Sequence, residues 1–312
     1  MKVRELQRGD APQVLRFLKT EFPAEEAILG TRPEGLEAIF RRVFRWDARL
    51  LIGSLRLFGR SPFHFFVVEE DGRIVATTIL SFSGPTGYLS MVVVDPAYRR
   101  RGYAQTLLER ARTTALRARR RYMALDVLVH NTPARTLYER VGYRPLRKTG
   151  FFAHDDASAF AGADPPVPIR PFRPSDAAAI VAVARAANPP EIEEVLPTEA
   201  ATIRGSRLAN RVLISETAAW VIDRGRGPEG WIRGVVSEAT EAGHLASPVI
   251  GPSVEPELAL ALVRTAGAWC AGKGIRRLAT EVPEANARGR AALEEGGFHE
   301  AFQTATLYRP AT

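Results

Sequence analysis

Residues 99–104 read Arg-Arg-Arg-Gly-Tyr-Ala; three cations beside a glycine are the residue types that could hold an anion. Just upstream, Met91-Val92-Val93-Val94 is a short, β-branched apolar run that reads as a buried strand. Asp95-Pro96 stops it, because proline cannot continue a sheet ladder. Downstream, Ala104, Leu107, Leu108, Ala111 and Ala115 recur at the spacing of one helix face. The first turn of such a helix has N–H groups with no intrahelical partner, and its dipole favours negative charge there. Gly102 would let a ligand approach the backbone closely. A phosphate is the anion this arrangement suits. A plain strand-to-helix turn with solvated arginines is the other reading of the same spacing.

The elements around that loop can be read in order. Val3-Arg4-Glu5-Leu6 alternates as a strand, and Asp10 is a plausible cap for a helix over 11–20, with Pro12 in its first turn. A second helix is expected over about 33–45, with Leu36, Ile39, Phe40 and Val43 on one face. Residues 64–83 read as a hairpin about Asp71-Gly72, 88–94 as the strand entering the loop, and 122–129 as a further strand. A short helix over 133–141 is well bounded, with Thr132 as its cap, Pro133 in its first turn and Gly142 just past its end.

Two motifs give these elements a family resemblance. Arg99-x-x-Gly102-x-Ala104, preceded by Val94-Asp95-Pro96 and Tyr98, resembles the acetyl-CoA loop of the GCN5-related N-acetyltransferase (GNAT) superfamily. Val127-x-x-x-Asn131-x-x-Ala134-x-x-x-Tyr138-x-x-x-Gly142-Tyr143 resembles that family's second motif, differing in its last aromatic residue. The family fold usually adds two strands after this point, whereas only one strand-like run, 143–152, is evident; the seventh strand is missing, displaced or supplied by the other half of the chain.

The resemblance implies transfer of an acetyl group from acetyl-CoA to a primary amine, of a small molecule or a peptide or protein, by direct attack in a ternary complex. It assigns the pantetheine arm to main-chain groups of Val92 and Val94, by the logic of an added strand. The pyrophosphate falls to the N–H groups over Arg99, Arg100, Arg101, Gly102, Tyr103 and Ala104. Tyr138 becomes the donor to the departing thiolate; apart from the motif it reads as a packed helix tyrosine. Asn131 is either a helix cap or a cofactor contact. No general base is identifiable from spacing: Asp126 sits in a strand whose alternation can turn it away, and Glu21, Glu25 and Glu26 read as solvated charges.

The pattern then repeats. Ile169 to Asp176 echoes Val3 to Asp10, and Asn286-x-x-Gly289-x-x-x-Leu293-x-x-x-Gly297-Phe298 echoes 131–143 at an offset of 155 residues. The second half is expected to place a hairpin within 220–239 and a strand over 244–251. The expected organisation is α/β (α+β): two tandem GNAT-like domains, each a mixed, mostly antiparallel sheet flanked by helices, over 1–155 and 168–312, joined by a proline-rich linker at 156–167. The second copy reads as degenerate, with Glu255-Pro256-Glu257 where the first has Arg99-Arg100-Arg101, and Leu293 where the first has Tyr138. A proline offers no N–H, and carboxylates repel a phosphate.

Residues 1–155 carry a net charge of +11 and the remainder −3, so a polyanionic ligand suits the first half. Nucleic acid would suit the charge as well, but no zinc knuckle, recognition-helix signature or aromatic-basic platform supports it. A single cysteine, Cys270, permits no internal disulfide and fits a reducing cytoplasm; the five histidines show no metal-ligand spacing, so no metal is expected. No apolar run of about eighteen residues is present, so no membrane span is expected. A CoA-binding regulatory protein without turnover, and an aminoacyl-tRNA-dependent transferase of the related tandem fold, are the alternatives in function. The expected assembly is a monomer, with the two halves as an internal pseudo-dimer, or a homodimer.

Overall fold

Asp71 and Gly72 both take left-handed backbone, φ 49° and 75°, the turn geometry that matches the twist of paired strands. They join β2 (Phe63–Glu70) to β3 (Arg73–Ser83), with β1 (Lys2–Glu5) on the outer side of β2. The chain is seen here in a computed structural model that describes residues 1–10, 12–14, 30, 63–162, 168–205 and 215–312. Apart from residues 12–14, which are helical, the helices expected over 11–20 and 33–45 lie outside the described residues, as do Glu21, Glu25 and Glu26.

β4 (Thr86–Val94) pairs with β3, and α1 (Tyr103–Arg117) crosses back over the sheet to β5 (Tyr122–Leu128). Tyr103, Leu107, Leu108, Ala111 and Ala115 are the buried face of α1, as the sequence spacing predicts apart from Ala104, which is only half-buried. A Cβ on Gly87 would stand 3.0 Å from that of Ala115, so β4 passes close beneath the helix. α2 (Thr132–Arg140) and β6 (Arg144–His154) complete the first half.

The second half contributes β7 (Ile169–Pro171), α3 (Ala177–Ala187), α4 (Pro190–Val195), α5 (Ala200–Arg204), β8 (Ser215–Asp223) and β9 (Pro228–Ser237). There follow β10 (Gly243–Leu245), β11 (Val249–Ile250), α6 (Pro256–Gly272), β12 (Leu278–Pro283), α7 (Ala287–Glu295) and β13 (His299–Pro310). The strand expected over 244–251 is therefore broken in two, with Ser247-Pro248 at the break; proline cannot donate to the ladder.

Among the described residues all thirteen strands form one sheet, in the order β1-β2-β3-β4-β5-β13-β6-β12-β10-β9-β8-β7, with β11 beside β9. Most neighbours are antiparallel; β4 with β5 and β10 with β12 are parallel. The centre shows a strand exchange. β13, from the end of the chain, pairs with β5 of the first half, while β6 pairs with β12 of the second. The seventh strand sought for the first half is thus supplied by the other half. Thr149 of β6 faces Thr304 of β13 across the central ladder, and these two positions are equivalent in the repeat, so the relation between the halves passes through this pair.

The repeat extends to side-chain detail. Arg4 Nη1 lies 2.6 Å from Asp10, which also accepts the Gln7 N–H at 2.7 Å; Arg170 Nη1 lies 2.8 Å from Asp176, which accepts the Arg173 N–H at 2.7 Å. Asp10 therefore clasps the strand before it; the helix it is expected to cap lies largely outside the described residues. Separate apolar cores form under α1 and α6. Ala157 and Phe160, in a stretch whose composition reads as linker, are buried in the core under α6; residues 163–167 lie outside the described residues.

Candidate active site

β4 and β5 part company midway. Their parallel pairing runs from Thr86–Tyr122 to Leu89–Leu125 and stops. The cause is local: Met91 takes φ 56°, and the β3 register slips between Thr77–Val93 and Ile79–Ser90, which is a bulge. A bulge bends its strand, and β4 turns away from β5 beyond it. Of the apolar run 91–94 only Val93 is buried, because this strand borders a gap on one edge. Asp95 N–H donates to Val75 O at 2.9 Å. By the alternation of an antiparallel ladder, Val93 and Asp95 bond toward β3 while the main chain of Val92 and Val94 points into the gap. Arg99 Nε donates to Val94 O at 3.2 Å.

At the mouth of the gap the chain makes a short turn in which the Arg99 N–H donates to Pro96 O at 3.4 Å. Asp95 accepts the Ala97 N–H at 2.9 Å, turning the chain after Pro96. Arg100 and Gly102 then take left-handed backbone, φ 63° and 85°. Gly102 is the N-cap residue of α1 and supplies no side-chain cap, and a Cβ there would meet nothing within 4 Å. Arg99, Arg100 and Arg101 are exposed, with Arg101 also stacked 5.1 Å from the Tyr98 ring centroid. Tyr103 is buried with its hydroxyl donating to Glu70; only its main chain can serve a ligand.

Asn131 caps α2, one residue before the Thr132 expected from sequence: its Oδ1 accepts the Ala134 N–H at 3.3 Å. Among the described residues its amide nitrogen has no protein partner. Tyr138 is 5% exposed, in the same apolar cluster as Val92, Val94 and Val127. Burial pushes its phenol up to about 12, so at neutral pH it is protonated and able to donate. It makes no hydrogen bond among the described residues.

On the opposite face of the sheet, at the crotch where β4 and β5 separate, lies a polar recess that the motifs do not announce. Asp126 accepts from the Tyr88 hydroxyl and from Thr306 Oγ1, the latter at 2.6 Å. Glu281 is the repeat equivalent of Asp126; its side chain still reaches solvent, and the protein crowded around it, with Asp126 nearby, raises its carboxyl to about 7. Arg147, opposite Thr306 in the ladder, adds a guanidinium. The readable signal was one acidic residue at the same place in two otherwise apolar strands, YMALDVLV and RLATEVP.

The second copy treats each feature differently. α6 begins at Pro256, the counterpart of Arg100, so the residues that form an open loop in the first copy are wound into helix. Glu255 is held by Arg224 Nη1 at 2.8 Å. Asn286 caps α7 through the Gly289 N–H at 3.0 Å, as Asn131 caps α2. Its amide nitrogen, however, donates to Ser247 Oγ at 3.2 Å and Pro248 O at 2.7 Å. Pro248 is the counterpart of Val92, so a side chain bridges the gap that stays open in the first copy. What remains beside Pro256 is a groove of about 530 Å³, lined by Pro252, Val254, Glu255, Arg288 and Ala291 among others.

A sheet opened between two parallel strands, with three arginines and the start of α1 at its mouth, marks the first half of this α/β protein. A family model described as the acetyltransferase (GNAT) family matches residues 20–143. An uncharacterized N-acetyltransferase of Methanocaldococcus jannaschii is 30% identical over 129 residues, covering 40% of this chain and 81% of that protein. The chain belongs to the GNAT acetyltransferase family, and it is an N-acetyltransferase. Two solved structures share its fold over nearly its whole length. A GCN5-related N-acetyltransferase from Sphaerobacter thermophilus has TM-score 0.65 and 18% identity, covering 99% of this chain and 95% of that one. A tandem GNAT protein from the clavulanic acid biosynthesis pathway has TM-score 0.62 and 17% identity, covering 100% and 98%. Among the described residues no helix is long and apolar enough to cross a membrane, and no cluster of side chains could hold a metal ion.

Proposed function

We propose that the first copy transfers an acetyl group from acetyl-CoA to a primary amine, of a small molecule or a peptide N-terminus, and that the second copy binds no CoA. The supporting observation is the gap between β4 and β5, where strand pairing stops after Leu89 in the first half, and which Asn286 bridges in the second. The pantetheine arm lies along Val92 and Val94 as an added strand. The diphosphate sits over the N–H groups of 99–104, where the start of α1 and three arginines supply positive potential. The amide nitrogen of Asn131 faces the cofactor.

The amine lone pair attacks the thioester carbonyl carbon, the C–N bond forms and the C–S bond breaks. Tyr138 donates its proton to the sulfur as negative charge develops there. The neutral phenol enforced by burial suits that role. The first half is residues 1–155, followed by a connection at 156–167 and the second copy at 168–312, and the protein acts in the cytoplasm as a monomer or homodimer.

Titration with acetyl-CoA followed by steady-state kinetics on Tyr138→Phe tests this. The variant is expected to bind acetyl-CoA as the parent does and to turn over about a hundredfold more slowly. Unchanged turnover removes Tyr138 from the chemistry, and no acetyl-CoA binding by the parent overturns the reading.

A further inference from the structure

Resting on that reading of the first copy, we propose that the recess formed jointly by Tyr88, Asp126, Arg147 and Glu281 binds the acceptor, that the acceptor is a small zwitterionic amine of the amino-acid kind, and that Glu281 takes its proton.

The recess is a product of the strand exchange. β5 brings Asp126, β13 brings Thr304 and Thr306, β6 brings Arg147 and β12 brings Glu281. Partners across a ladder share a face, and residues two apart along a strand do too. Asp126, Thr306 and Arg147 therefore line one face, with Thr304 beside Thr306 and Glu281 beyond Phe151. That face is opposite the one carrying α1 and Tyr138, because Val127, next to Asp126, packs in the cluster with Tyr138. An amine here approaches the splay from the side away from the thiolate donor, so attack and departure occupy different faces. α4 of the second half borders the recess, with Val195 and Leu196 packed against Tyr88 and Tyr308.

The hydrogen-bond inventory points to the ligand. Thr304 is 5% exposed, and among the described residues its Oγ1 has no partner. The Arg147 Nε is likewise buried and unpartnered, and among the described residues no carboxylate pairs with this guanidinium. Buried donors left unmet cost roughly 1–3 kcal/mol each, so a ligand carrying an anionic group is the natural complement. Glu281 has no hydrogen bond or ion pair among the described residues, while Asp126 is held by Tyr88 and Thr306. The two carboxylates thus divide their work: Asp126 is fixed as an anchor for an ammonium, and Glu281 is left to exchange a proton.

The ammonium loses one proton to the Glu281 carboxylate, which passes it to water. The freed lone pair attacks the carbonyl carbon, and the nitrogen's second proton restores the one that Tyr138 gives to sulfur. The charged groups facing Glu281 are Asp126 and Arg147, with Tyr88 beside them. Their balance, with desolvation, places its carboxyl at about 7, where a base must be half-available at neutral pH. On this account the second copy persists because it supplies β13 and Glu281 to the site of the first.

The test uses the full chain with acetyl-CoA and paired probes: glycine, β-alanine and L-alanine against methylamine and ethylamine, each followed by thiol release across pH 5.5–9. The expected result is at least tenfold higher kcat/KM for the amino acids. Arg147→Gln is expected to erase that preference, and Glu281→Gln to remove the rise in kcat/KM centred near pH 7, both with unchanged acetyl-CoA affinity as the check on folding. Preference for the simple amines, a pH profile untouched by Glu281→Gln, or acetyl-CoA binding without transfer to either set overturns the assignment. Absence of acetyl-CoA binding overturns instead the reading on which it rests.

Discussion

The two halves of this chain start from the same plan and differ at one edge. Asn131 and Asn286 occupy equivalent places and make the same cap. In the first half the amide nitrogen is left over; in the second it stitches α7 to Ser247 and Pro248. Likewise the three arginines of the first loop have Glu-Pro-Glu as counterparts, drawn into the first turn of α6. On the proposed reading, the edge left open in the first half takes the ligand, and the bridged edge of the second serves as scaffold. The difference is a few hydrogen bonds, set against a sheet and a strand exchange that both halves share.

The most forceful way to break the comparison is to move the second loop into the first. Replacing Arg99-Arg100-Arg101-Gly102 by Glu-Pro-Glu-Leu is expected to cost about 3 kcal/mol of acetyl-CoA binding, roughly a hundredfold in affinity, and to lower the melting temperature, because proline and leucine cannot hold the left-handed backbone of Arg100 and Gly102. Retained affinity would mean that the loop amides do not carry the diphosphate.

A smaller effect sharpens it. Asn131→Ala removes a helix cap and is expected to cost about 1 kcal/mol in stability, whereas Asn286→Ala loses the cap and two bridging bonds and is expected to cost about 2 kcal/mol. Denaturant melts of the two variants compare them directly; equal costs would mean that the bridge contributes nothing.

The smallest concerns Glu281. Its folded-state carboxyl is raised to about 7 from 4.5, so between those values the native state binds more protons than the unfolded one, and stability falls as pH rises through that window. Glu281→Gln removes the titration. The variant is expected to gain in melting temperature relative to the parent at pH 8 and to show no such gain at pH 4.5. A difference that does not vary with pH would place Glu281 in an unperturbed environment.

Much of the first copy was legible in the chain because its features are local. A proline that stops a strand and a Thr-Pro pair that opens a helix each announce themselves within a few residues, though the cap of that helix falls on Asn131, one residue before Thr132. The Asp71-Gly72 hairpin and the buried face of α1 follow from the same short-range rules. The bulge at Met91 was not legible, since nothing about methionine asks for φ 56°; partner strands impose it. Nor was the exchange of β6 and β13, because two strands of matching pattern give no hint of which neighbour each will choose. The recess at Asp126 depends on that exchange, so it appears only when residues 126, 147, 281 and 306 meet across four strands. Asp10 shows the limit of local reasoning in miniature: nothing in its neighbours announces that it holds Arg4.

Calorimetric titration of the full chain with acetyl-CoA measures the asymmetry of the two halves most directly. The account predicts one molecule bound per chain, weakened about a hundredfold by the loop replacement at 99–102 and unaffected by Glu255→Gln. Two molecules per chain, or one that survives the replacement undiminished, would contradict it.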